Sequence, residues 1–285
     1  VLFVGKSVQS FALNTNDNKN LVAHFSEYQA NTSIVSYSIG SERRIDIKGM
    51  NAALPTTELA SSKLDMMPRL ANSSNQLTFL STRSGQYELW MQDNDPAKTT
   101  RQIKLPWSLG FSRVEWSPDD SKLLLVKHGG IYEVDLNNNS QVRQVLSRDN
   151  KVAVANYAGV GSKIIYSSDK SGQWQLWLKD LNSGADQQIT SYGGYSATVY
   201  QGQVYYSKFS EKGLWRMPLE PTSNTAAESL VIAGFDMVNW LNWHIRADLL
   251  YFYKPSSGIW QFNLKTKQQE LLLANSEHSI HQYHV

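Results

Sequence analysis

Residues 116–136 decide the fold. They read Trp116-Ser117-Pro118-Asp119-Asp120-Ser121-Lys122, then Leu123-Leu124-Leu125-Val126, then Gly129-Gly130-Ile131-Tyr132-Glu133-Val134-Asp135-Leu136. A Pro-Asp-Asp-Ser turn feeds an apolar strand, a Gly-Gly turn follows, and a second strand carries an aliphatic–aromatic pair. Turn residues bracket apolar runs too short for helices.

Working outward, the same order of features recurs. Before it stand Leu77-Thr78-Phe79-Leu80-Ser81-Thr82-Arg83-Ser84-Gly85 and Tyr87-Glu88-Leu89-Trp90-Met91. After it come Ile164-Ile165-Tyr166-Ser167-Ser168-Asp169-Lys170-Ser171-Gly172 and Trp174-Gln175-Leu176-Trp177-Leu178. Val204-Tyr205-Tyr206-Ser207 with Gly213-Leu214-Trp215, and Leu249-Leu250-Tyr251-Phe252 with Gly258-Ile259-Trp260, complete five copies. The aromatic of the third strand falls at 90, 132, 177, 215 and 260, at intervals of 42, 45, 38 and 45. That is the period of propeller blades. A weaker copy precedes them at Leu21–Ser26 and Ser33–Tyr37.

One four-stranded unit exposes two apolar faces, and stacking such units buries both. The expected fold is therefore an all-β propeller of four-stranded antiparallel blades, six in number, with seven as the alternative. One domain spans 1–285, with blades at 10–50, 68–111, 112–154, 155–197, 198–238 and 239–273. The segments 1–5 and 280–285 are expected to close the ring. A single helical turn is expected within 58–67. The third-strand aromatics are read as interblade core.

Composition narrows the function classes. A formal charge of +2, with no run of Lys or Arg, argues against direct nucleic-acid contact. The chain has no cysteine, which excludes disulfides, thiolate metal sites and a Cys nucleophile. No apolar stretch approaches the length of a membrane-spanning helix. The opening Val1-Leu2-Phe3-Val4-Gly5 is consistent with the outer end of a membrane segment or with a first strand.

The strings Trp116-Ser117-Pro118-Asp119-Asp120-Ser121-Lys122-Leu123 and Ser168-Asp169-Lys170-Ser171-Gly172 before Leu176-Trp177 resemble TolB-like propeller repeats. The usual repeat is W-S-P-D-G-x-x-[IL], then S-D-r-x-G and an [IL]-[YW] strand. The resemblance covers about residues 10 to 273, strongest at 112–136 and 155–181 and degenerate at 10–47 and 198–217. Asp120 stands where the family has Gly. The resemblance implies a periplasmic recognition propeller, similar to the sensory half of membrane-anchored transcriptional regulators of the CadC/ToxR type. Alternatives are a TolB-like protein-interaction module, the accessory propeller of a prolyl-oligopeptidase-type peptidase, and a metal-dependent enzyme resembling oligogalacturonate lyase.

The residues favour binding over catalysis. Gly161-Ser162-Lys163 and Gly194-Tyr195-Ser196-Ala197-Thr198 lack the spacing of a nucleophile elbow. His278, His281 and His284 alternate faces on a strand, so they read as a strand end rather than a ligand set. A metal site from His24, His244 and His281 on separate blades is conceivable, but nothing requires it. The expectation is no metal, no cofactor and no enzymatic activity.

The connections leading into each next inner strand emerge at one mouth of the channel, where propellers bind ligands. Their irregular residues supply the candidate site: Arg69, Trp107, Arg113, Glu115, Tyr192, Tyr195, Asp236, Glu277 and His278. Phe111, Phe235 and Trp240 share these connections. The expected partner is a protein or a small molecule, with a membrane tether upstream and a homodimer both compatible with the reading.

Overall fold

The computed structural model describes residues 6–13, 20–27, 32–38, 56–94, 97–110, 112–159, 162–220, 228–235, 243–254 and 257–274. Among the described residues, 24 strands pair into six four-stranded antiparallel sheets. The first comprises β1–β4 (Lys6–Leu13, Asn20–Glu27, Thr32–Ser38, Thr56–Ala60), and the second β5–β8 (Asp65–Leu70, Leu77–Ser81, Glu88–Gln92, Thr100–Gln102). The third is β9–β12 (Val114–Trp116, Lys122–Lys127, Gly130–Asp135, Gln141–Leu146). The fourth is β13–β16 (Val152–Tyr157, Lys163–Ser168, Gln175–Asp180, Asp186–Gln188). β17–β20 (Ala197–Tyr200, Gln203–Ser207, Gly213–Pro218, Ser229–Ala233) and β21–β24 (Trp243–Arg246, Leu249–Lys254, Gly258–Asn263, Gln269–Ala274) complete the set.

This is an all-β propeller architecture of four-stranded antiparallel blades. Five blades, β5 to β24, are described with their side chains, where the repeat predicts six or seven. The β1–β4 sheet, built from the most degenerate copy, is defined by backbone pairing, with Leu59 its one described strand side chain. The chain forms two compact units, one of residues 1–111 with 242–285 and one of residues 112–241. The expected ring-closing segments 1–5 and 280–285 lie outside the described residues.

Burial within a blade follows strand order. Second strands are almost wholly buried: Leu123, Leu124 and Leu125 of β10 are at most 1% exposed, and β6 is buried throughout. Both of their faces are covered, so they read as continuous apolar runs rather than alternating ones. Each such leucine contributes about 1.5–3 kcal/mol. Of the fourth strands, β12 and β16 are polar and mostly exposed, whereas β24 buries Leu272 and Leu273.

The cores lie between sheets. In the 112–241 unit, Leu124, Ile131 and Leu146 pack against Val152, Ala155, Ile164 and Tyr166 of the next sheet, with Trp177 beside them. Ile165 and Leu176 pack against Val204, Tyr206 and Met217, flanked by Trp215. In the other unit, Leu59 packs on Leu77 and Phe79, flanked by Trp90. The recurrent tryptophans are thus packed at blade interfaces, though each stays half-buried.

Two local expectations are resolved. Asp120, at the glycine position of the repeat, holds φ 58°, the left-handed conformation that a type of turn normally assigns to Gly and that Asp tolerates. Residues 58–67 form no helical turn; they end β4 and begin β5. Leu59 is drawn into the core there, and Asp65 is fixed by Ser81 and Arg83. A bulge with Met67 at φ 52° bends β5 directly afterwards.

Candidate functional site

Antiparallel order dictates which loops share an end of a blade. The hairpin between second and third strands and the connection after the fourth strand emerge at the same end; the other two hairpins emerge opposite. In the 112–241 unit, a cluster of aromatic side chains stands at the first of these ends.

There the connection Ile189–Ser196 is tied down along its length. Thr190 Oγ1 donates to Gln175 Oε1 at 2.7 Å and accepts from the Leu176 N–H at 2.8 Å. The Gly193 N–H reaches the same Gln175 oxygen at 3.2 Å, and Gln175 Nε2 donates to the Ser191 carbonyl at 3.3 Å. The Gly194 N–H bonds Trp174 O at 3.1 Å, and the Tyr195 N–H bonds Ser207 O at 2.8 Å. Buried Gln175, 3% exposed, is therefore the anchor of the loop.

The two glycines are required for different reasons. Gly193 adopts φ 95°, closed to most side chains. At Gly194 a Cβ would lie 2.5 Å from Leu176 Cγ, inside van der Waals contact. The sequence Ser191-Tyr192-Gly193-Gly194-Tyr195-Ser196 thereby folds flat against the blade and leaves Tyr192 at the tip, 83% exposed.

Tyr195 is half-buried and stands edge-on to Trp174 (centroids 5.1 Å apart) and to Phe209 (5.5 Å). Phe209 is itself 55% exposed. Burial raises the Tyr195 phenol above its ordinary pKa, so it stays neutral. The result is an aromatic platform on a hydrogen-bonded loop, with two rings offered to solvent. An ordered exposed aromatic costs little entropy on binding, which makes such a platform suited to recognition.

A cation beneath the platform supports it. The methylenes of Lys208 lie 3.9 Å from the position of a Gly193 Cβ. The Lys208 ammonium sits 3.9 Å from the Trp215 ring centroid and 2.6 Å from Glu228. The same device recurs in the preceding blade, where Lys170 Nζ lies 3.7 Å from the Trp177 centroid, 2.8 Å from Asp186 and 2.6 Å from Tyr166 Oη. Arg83 covers Trp90 at 4.8 Å while bonding Asp65, and Lys254 covers Trp260 at 4.0 Å.

The carboxylates answer the second strand. Tyr166 and Tyr206 donate to Asp186 and Glu228, which occupy the same fourth-strand position, two residues before the partner of the tryptophan. Where the second strand has Phe79, Leu125 or Phe252, that position holds Thr100, Val142 or Gln269. A second-strand phenol thus comes with a carboxylate to accept its hydrogen bond, and an apolar residue does not.

The expected site residues divide. Tyr192 and Tyr195 share the tied loop. Arg113 and Glu115 stand at the same end of their own sheet and form an ion pair with one another. Trp107 is half-buried in the connection after β8, near Tyr87, whose carbonyl accepts from Ser108. Arg69 is 5% exposed and sits beside the β5–β6 hairpin, opposite that connection, because β5 begins at Asp65 and carries residue 69 to its far end. Asp236, Glu277 and His278 lie outside the described residues, as do Phe111, Trp240 and His281. Phe235 is buried, and so is His244 at 9% exposure. Among the described residues no three His, Asp or Glu converge as metal ligands would.

Trp174 and Phe209 are site residues that the sequence reading passes over. Both flank second-to-third hairpins, which share an end with the inter-blade connections, and that shared end is the signal that finds them.

No protein-family model matches the chain, and no curated protein sequence does. Solved structures do. TolB from Acinetobacter baumannii superposes with a TM-score of 0.68 at 14% identity, over 98% of this chain and 65% of that one. A putative TolB from Agrobacterium tumefaciens gives 0.52 at 13% identity, over 97% and 84%. An oligogalacturonate lyase in complex with manganese gives 0.61 at 12%, over 95% and 78%. The chain thus spans about two thirds of the Acinetobacter protein. These likenesses show a TolB-like propeller fold.

Proposed function

We propose that this chain is a non-enzymatic recognition propeller whose platform of Trp174, Tyr192, Tyr195 and Phe209 binds a partner protein. The observation that carries this reading is the pairing of exposure with rigidity: Tyr192 is 83% exposed on a loop held by six hydrogen bonds. A ring that served only packing would be turned inward, and an exposed ring on a loose loop would bind weakly. The TolB-like fold supports a protein-interaction module. Under this reading the chain works in the bacterial periplasm as the sensory part of a membrane-anchored transcriptional regulator, a role that rests on the repeat resemblance of residues 116–123 and 168–177. Arg113, Glu115 and Trp107 remain candidates for polar contacts at the same end of their own blades, and Asp236, Glu277 and His278 remain candidates on the sequence alone.

The test is capture from periplasmic extract by the wild-type chain and by the double variant Tyr192→Ser/Phe209→Ser, matched for fold by circular dichroism. Each exposed anchor is worth about 1–2 kcal/mol, so the double variant retains about a tenth or less of the specific partner. Unchanged capture refutes the platform. For the regulatory role, the double variant at the native locus changes a defined set of transcripts. An unaltered transcriptome counts against that role and leaves the binding reading standing.

A further inference from the structure

The run Ser229-Leu230-Val231-Ile232-Ala233 forms β20, the last strand of its sheet, and among the described residues it pairs with β19 alone. The open edge of a sheet offers a row of N–H and C=O groups to any strand that can lie beside it. Five of the six described fourth-strand edges carry a charge that discourages this: Glu58 in β4, Arg101 in β8, Arg143 in β12, Asp186 in β16 and Glu270 in β24. β20 carries none. Leu230 is 49% exposed, Ser229 and Ala233 are exposed as well, and Val231 and Ile232 are half-buried. At five residues it is also longer than β8 or β16, which have three each.

We infer that β20 is a docking edge for an extended, uncharged peptide segment of a partner protein, which joins the β17–β20 sheet as a fifth strand. Main-chain hydrogen bonds supply the affinity of such strand addition, and alternate side chains supply the selectivity. Here the incoming side chains meet Leu230 on one face of the sheet and Ile232 on the other, so apolar and β-branched residues fit. A charged residue opposite them would be desolvated without a partner.

Two features select a flexible peptide over a second copy of the chain. The register of β20 shifts between the partners of Leu214 and Trp215, which leaves Val231 as a bulge. A two-fold pairing centred on residue 231 would set bulge against bulge, whereas a flexible segment adjusts to one. The edge is also short: five residues span about 17 Å, and the contact falls well below the roughly 1,200 Å² of a stable protein interface. This inference is independent of the aromatic platform, which belongs to other loops of the unit.

The probe is a capped nine-residue peptide of alternating threonine and valine, with a control carrying N-methyl groups on alternate residues. N-methylation removes the main-chain donors and keeps the side chains. We expect saturable binding of the plain peptide, slowed hydrogen exchange at 229–233, and none of either with the methylated control. Leu230→Lys, and separately Ser229→Lys at an exposed site, weaken binding by about fivefold or more. Equal binding of the methylated peptide, protection confined to other residues, or no saturable binding overturns the inference. Concentration-dependent dimerisation abolished by Leu230→Lys also overturns it, by assigning the edge to a second copy.

Discussion

Replacing Lys208 with Met tests how the platform is supported. The methionine keeps the unbranched stem beneath Gly193 and deletes the ammonium that lies over Trp215 and bonds Glu228 at 2.6 Å. Lys208 is only 3% exposed, so the wild-type pair is desolvated on the cation's side. Removing one member of a buried ion pair costs about 3–5 kcal/mol, because the other charge is left uncompensated. Glu228 keeps 31% of its side-chain exposure and rehydrates in part, which places the expected loss near the lower limit, at about 3 kcal/mol. For a chain of this size that is a fall in Tm of about 6–10 °C. The assay is urea and thermal unfolding of Lys208→Met, Glu228→Gln and the double variant. Neutralising Glu228 removes the orphaned charge, so the double variant is more stable than Lys208→Met by about 1 kcal/mol or more. A loss below about 1 kcal/mol, or a double variant no more stable than Lys208→Met, refutes the cation as a support.

Other consequences are equally direct. Asp119 accepts hydrogen bonds from the Ser117 hydroxyl, the Ser121 hydroxyl and the Ser121 N–H, which lower its pKa to about 2. A depressed carboxylate stabilises the fold above its ordinary pKa and loses that contribution as pH falls toward 2. Asp119→Asn should therefore cost about 1 kcal/mol at pH 7, after allowance for solvent screening, with the gap to wild type closing in acid unfolding below pH ~4. Gly194→Ala drives a methyl onto Leu176 and should destabilise by about 1–3 kcal/mol while disturbing near-ultraviolet signals of Tyr195 and Trp174. A variant as stable as wild type, with unchanged spectra, would show that the connection can shift without cost. Elemental analysis of the purified chain should find less than one equivalent of manganese, zinc or iron; a stoichiometric metal would revive the lyase-like alternative.

The blade repeat was legible because each copy must satisfy the same physics. A second strand covered on both faces has to be apolar throughout, and the turns on either side must reverse the chain. Leu123–Val126 between Asp119-Asp120 and Gly129-Gly130 therefore reads as a strand from sequence alone. The cation–aromatic–carboxylate clusters were not legible. Lys170 and Asp186 are 16 residues apart, and only the register of β14, β15 and β16 brings them to one ring. The site was legible in part. Tyr192 and Tyr195 stand out in a polar, glycine-bearing connection, but Phe209 and Trp174 meet Tyr195 only because antiparallel order gathers separate loops at one end. Arg69 misled for the complementary reason, since a shift of three residues in where β5 begins moves its side chain to the opposite end of the blade.

The most direct test of the central claim is photo-cross-linking in cells from a benzoylphenylalanine placed at position 192, with position 138 as the control. Asn138 is exposed on the β11–β12 hairpin, at the end of its blade away from the inter-blade connections. Recognition at the aromatic platform predicts a discrete cross-linked protein from 192 and none from 138. The same products from both positions, or none from 192, would contradict it.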